Sequence, residues 1–98
     1  MNKYVRNGEL LTCILSGKID TLNSSVLENE INENMKEDIT SVVFDLQEVD
    51  YISSTFLRIV IKIVKEVGKE NFAITNVQPS VLMVFKIANL TEIVTVSQ

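Results

Sequence analysis

Val42-Val43-Phe44-Asp45-Leu46-Gln47-Glu48-Val49-Asp50-Tyr51-Ile52-Ser53-Ser54-Thr55-Phe56-Leu57-Arg58 joins two different apolar patterns. The run from Ser41 to Leu46 is short, β-branched and nearly all apolar. Such a run predicts a strand buried on both faces, as in parallel sheets under helices. The second pattern has a helical period. Leu57, Val60, Ile61 and Val64 make one helix face, and Ile59, Ile63 and Val67 widen it. Arg58, Lys62, Lys65 and Lys69 mark the exposed stripe, and Gly68 predicts the helix end. Three hydroxyls, Ser53, Ser54 and Thr55, stand where strand gives way to helix.

The flanks continue the alternation. Tyr4 and Val5, then Asn7-Gly8, then Leu10 to Leu15 read as a hairpin with a tight turn. Asp20-Thr21 offers cap oxygens for a helix over Thr21 to Lys36. Leu22, Val26, Leu27 and Ile31 fall at helical spacing there. Asn71 to Thr75 predicts a strand, Pro79-Ser80 a third helix, and Ile93 to Val96 a last strand. The order β-β-α-β-α-β-α-β implies right-handed crossovers and one α/β domain over 1–98 with a mixed, mostly parallel sheet. Leu27, Ile31, Val43, Leu57, Ile61, Val64, Ile74 and Phe85 are the expected core.

Composition removes several kinds of function. The chain has 98 residues, 46% hydrophobic and 22% charged, an ordinary globular balance for one domain. It has no histidine, the commonest general base and metal ligand. One cysteine, Cys13, makes neither a disulfide nor a thiolate metal site, so no metal and no cofactor is expected. A net charge of −4 argues against nucleic acid. No apolar run reaches the length of a membrane span and no signal core opens the chain, so cytoplasmic localisation without membrane insertion is expected. Asp45, Glu48 and Asp50 are candidate carboxylates, and Asp45 ends a strand at the edge where ligands gather in parallel sheets. Bracing a loop explains Asp45 equally well. No phosphate-binding glycine loop is present, so an enzyme is not expected.

Charge is unevenly placed. From Asp20 to Asp50 nine residues are acidic and one, Lys36, is basic, whereas the chain from Tyr51 onward has five basic and three acidic residues. Two solvated helix faces explain this, and so does a protein partner read by charge. The hydroxyl cluster is more informative. One hydroxyl suffices to cap a helix, and here there are three. A phosphate on one of them would meet free N–H groups and the positive end of the helix dipole.

The quoted stretch resembles the central motif of STAS domains, the bacterial anti-sigma factor antagonist family. The family pattern is a strand ending in Asp-Leu, a short loop, an aromatic and Ile, then Asp-Ser-Ser-Gly-Leu opening a helix. Asp45-Leu46, Tyr51-Ile52, Ser54 and Leu57 match it. Thr55 matches the phosphorylated position, with Ser54 as the alternative. Ser53 stands in place of Asp, and Phe56 in place of Gly. The resemblance implies a non-catalytic module that binds an anti-sigma factor, itself a serine kinase. Phosphorylation would break the complex and a phosphatase would restore it. Ser53, Ser54, Thr55, Phe56, Arg58 and Lys62 are the expected partner contacts, with Phe56 as an exposed anchor. The alternative is a non-switching scaffold subunit of a transporter-associated or stress-sensing complex, which an exposed Phe56 would favour.

Overall fold

The computed structural model describes residues 2–98. Five strands and three helices alternate: β1 (Lys3–Asn7), β2 (Leu10–Ile19), α1 (Thr21–Asn34), β3 (Ser41–Ile52), α2 (Ser54–Val67), β4 (Phe72–Thr75), α3 (Pro79–Ile87) and β5 (Thr95–Val96). Short 3-10 turns over Lys69–Asn71 and Leu90–Glu92 were not expected from the sequence. The second of them delays the last strand to Thr95.

β1 and β2 form the hairpin in antiparallel register, Asn7 opposite Leu10. The turn therefore centres on Gly8-Glu9, and of Asn7 and Gly8 only Gly8 has positive φ, at 63°. Glycine adopts that conformation without steric cost. β2, β3, β4 and β5 are mutually parallel. β3 runs to Ile52, beyond the Leu46 limit read from sequence, because its second half stays paired with β2 across two register shifts.

Strand order across the sheet is β1-β2-β3-β4-β5, identical to chain order. Each parallel connection steps in the same direction. With right-handed crossovers, all three helices then fall on one face. Burial follows. Leu11, Cys13 and Leu15 of β2, Val42, Phe44 and Leu46 of β3, and Phe72 and Ile74 of β4 form one core with Val81 and Phe85 of α3. Their neighbours Thr12, Ile14, Val43, Asp45, Ala73 and Thr75 alternate to the other face and are half-buried. The expectation that β3 is covered on both sides is thus corrected, and Val43 is not a core residue.

The helix phases also need correction. Leu27 and Ile31 of α1 are buried as expected, but Leu22 and Val26 are 76% and 52% exposed, and Ser24 takes the inward position. On α2 the buried set is Phe56, Ile59, Val60, Ile63 and Val64, while Leu57 and Ile61 are only half-buried. The inward stripe begins one residue earlier than the sequence reading placed it. Val64, Ile74 and Phe85 are buried as expected. Gly68 ends α2 with φ 94°, and its N–H donates to the Val64 carbonyl at 2.8 Å.

Candidate functional site

β2 and β3 end side by side, and each feeds a helix. Both helices therefore present their N-termini at the same edge of the sheet. Asp20 caps α1, its carboxylate accepting from the Asn23 N–H at 2.8 Å. Ser53 caps α2 in extended backbone geometry, its Oγ accepting from the Phe56 N–H at 3.3 Å. The Ser53 N–H donates to the Ile19 carbonyl at 2.9 Å, which ties the two loops together.

The three hydroxyls have separate surroundings. Ser53 is 8% exposed and lies 3.2 Å, Oγ to Oγ, from Ser24 of α1. Ser54, the first residue of α2, is exposed, and Thr55 after it is half-buried. The sequence brings all three to one turn, but the structure makes Ser53, and not Ser54, the cap, with Ser54 exposed and Thr55 half-buried beyond it.

Phe56 is the main correction. It was expected to project as an interface anchor, and it is fully buried. Its ring packs on Phe44, with centroids 5.9 Å apart, and Phe44 meets Phe72 edge-on at 5.1 Å. The cause is helical phase. Position 56 lies three, four and seven residues before Ile59, Val60 and Ile63, so it opens the inward stripe. The bulk of the ring is thus spent in the core, and the surface beside Thr55 is not blocked by it.

Arg58 lies one turn beyond Thr55 and is exposed. Lys62 follows, also exposed, with Nζ 3.5 Å from Glu28 of α1. Arg58, Ile61, Lys62, Lys65 and Glu66 surround an open hollow of about 420 Å³ on α2. Two of the three candidate carboxylates have local partners, and Glu48 is exposed. Asp45 accepts from the Gln47 N–H at 3.0 Å, and Asp50 pairs with Lys18 at 3.4 Å. Among the described residues no group of three potential metal ligands comes together, and no helix is long and apolar enough to cross a membrane. Burial pushes the Cys13 thiol up to about 12, which leaves it a neutral core side chain.

Sequence reasoning missed Ser24. Its spacing from Leu27 and Ile31, three and seven residues, was the available signal.

The profile of the STAS domain matches residues 3–98. The chain belongs to the STAS domain family. A Bordetella bronchiseptica protein described as an anti-sigma factor antagonist, BtrV, is 32% identical over 89 residues, covering 89% of this chain and 76% of that protein. Among solved structures, a Thermotoga maritima protein described as an anti-sigma factor antagonist superposes with TM-score 0.87 at 17% identity, over 99% of this STAS domain and 86% of that chain. The Bacillus protein SpoIIAA has been solved unphosphorylated and phosphorylated, with TM-scores of 0.82 and 0.74 at 15% and 14% identity. These two comparisons cover 100% of this STAS domain, and 89% and 92% of the SpoIIAA chains. At such identities the structural likeness establishes the fold.

Proposed function

We propose that this STAS domain is an anti-sigma factor antagonist whose binding is switched by phosphorylation at Thr55, with Ser54 as the alternative acceptor. One observation carries the reading: two hydroxyl residues, Ser54 exposed and Thr55 half-buried, occupy the first two positions of α2, at the open edge of the sheet, one turn before Arg58. The relationship to BtrV supports the class of partner. Ser54, Thr55, Arg58 and Lys62 form the contact surface, with Ser53 beneath them as the cap. A phosphate adds about −1.5 to −2 charge. At this position it draws on the N–H groups of the helix start and on Arg58, and it confronts the docked partner with a charge that must be desolvated. A phosphatase restores the binding form, and the exchange takes place in the cytoplasm. The domain supplies a substrate hydroxyl and a surface, and no catalytic group.

The test uses a serine-kinase anti-sigma factor as the candidate partner. The chain is incubated with that kinase and ATP and followed by intact mass and peptide sequencing. Wild type should gain one phosphate, and Thr55→Ala should not. Retained phosphorylation in Thr55→Ala moves the acceptor to Ser54. No phosphorylation of wild type, with unchanged kinase binding by Thr55→Glu, refutes the switch. Burial of the Phe56 ring withdraws the exposed aromatic that the scaffold reading would have used as its anchor.

A further inference from the structure

Of the buried residues among those described, only Ser24 and Ser53 are polar. They meet each other across the α1–α2 contact, 3.2 Å between hydroxyl oxygens, and either is able to donate. Stability alone does not call for this pair. Replacing both partners of a buried hydrogen bond by apolar groups of similar shape is often nearly neutral. The pair also stands directly under the acceptor turn, because Ser53 Oγ is at once the cap of the Phe56 N–H.

A serine hydroxyl has one proton to give and two lone pairs. At Ser53 one lone pair takes the Phe56 N–H at a long 3.3 Å, and the remaining capacity faces Ser24. An anion held on the first turn of α2 competes for that same N–H. Hydrogen bonds from N–H to a phosphate oxygen are shorter and stronger than to a neutral hydroxyl. The cap is therefore the weaker bidder. Once displaced, Ser53 Oγ is still buried and needs a partner.

We infer that Ser24 is a positioning residue for the acceptor turn: it holds the Ser53 hydroxyl when a phosphate on Thr55 takes over the Phe56 N–H. The cap becomes exchangeable, with no buried oxygen left unpaired in either state. α1 is thereby tied to the state of α2 through one hydroxyl contact. The inference rests on the proposal that Thr55 carries the phosphate.

The experiment needs no kinase. Phosphothreonine is installed at position 55 during synthesis of the full chain, in wild-type, Ser24→Ala and Ser24→Cys backgrounds. Cysteine keeps the size of the side chain but hydrogen-bonds weakly, so it guards against a packing void. Amide resonances and urea unfolding are measured for each with and without the phosphate. In wild type the phosphate should shift the Phe56 amide and leave the folding equilibrium constant little changed. In both Ser24 variants the phosphate should lower that constant, on the order of five-fold beyond the product of the single changes, the worth of one buried hydrogen bond. Effects that multiply within two-fold, or a Phe56 amide that does not move, overturn the role of Ser24. If the kinase leaves Thr55 unmodified while the installed phosphate gives the non-multiplicative result, the switching reading is overturned and the exchangeable cap is upheld.

Discussion

Replacing Phe56 by alanine separates a core role from an interface role. The ring is fully buried and packs on Phe44, which in turn meets Phe72. Truncating a buried phenylalanine removes its transfer free energy and leaves a cavity, about 3–5 kcal/mol together. A domain of this size has a total stability of roughly 5–15 kcal/mol. Phe56→Ala therefore takes away about a fifth or more of it. With a urea slope of about 1–3 kcal/mol per molar, the midpoint should fall by about 2 M at an unchanged slope. Phe56→Leu fills much of the space and should cost less than half as much. Far-UV circular dichroism across a urea titration reads both. An exposed anchor behaves oppositely: truncation leaves the midpoint alone and weakens partner binding. A loss under 1 kcal/mol for Phe56→Ala would refute the buried stripe and return Phe56 to the surface.

Other expectations follow from the same geometry. Ser53→Ala should cost about 1–2 kcal/mol by thermal or urea unfolding, since it strands the Phe56 N–H and the Ser24 hydroxyl, and Ser53→Asp should recover the capping part. Val42→Thr puts a hydroxyl into the core and should cost about 1–3 kcal/mol, whereas Val43→Thr on the open face should stay within about 0.5 kcal/mol; equal losses would mean the outer face is covered. Cys13 is held neutral, raised from its ordinary value near 9 to about 12, by burial. The unfolded thiol loses its proton first, so stability present below pH 9 should be lost as pH rises from 9 to 12. Tyr4, also raised by burial and by its hydrogen bond to Glu30, adds to the decline above pH 10. Cys13→Ser in alkaline unfolding should remove the thiol's share, and rapid alkylation of native Cys13 at pH 8 would contradict its burial.

Much of the fold was legible because its signals are local. Gly8 marks the hairpin, Asp20 caps, Pro79 starts a helix and Gly68 ends one, whereas the cap of α2, expected at Ser54, is Ser53. What failed depended on neighbours far along the chain. α2 is apolar at both Phe56 and Leu57, so two helical faces satisfied the spacing. The choice between them is made by the extension of β3 to Ile52, which fixes how the helix enters. α1 misled for the converse reason: Leu22 and Val26 outweighed Ser24 by hydrophobicity, and only Ser53, 29 residues away, makes that serine an inward residue. The turn that opens α2 was legible from its three hydroxyls. Its depth was not, since the sequence alone does not say which of three successive hydroxyls turns under the helix.

The sheet that never turns back on itself has a consequence for how such a domain can be addressed. In open parallel sheets a cleft forms where strand order reverses, because the helices on either side of that point diverge to opposite faces. Here the connections advance in one direction, and the helices lie like parallel beams with no gap opened between diverging neighbours. The edge carrying Ser54 and Thr55 is therefore a ledge, without the crevice that diverging helices open. In the proposed switch such a ledge would be read from outside, by a surface that brings its own groove, and side chains along the helix start could change without disturbing a cleft between helices.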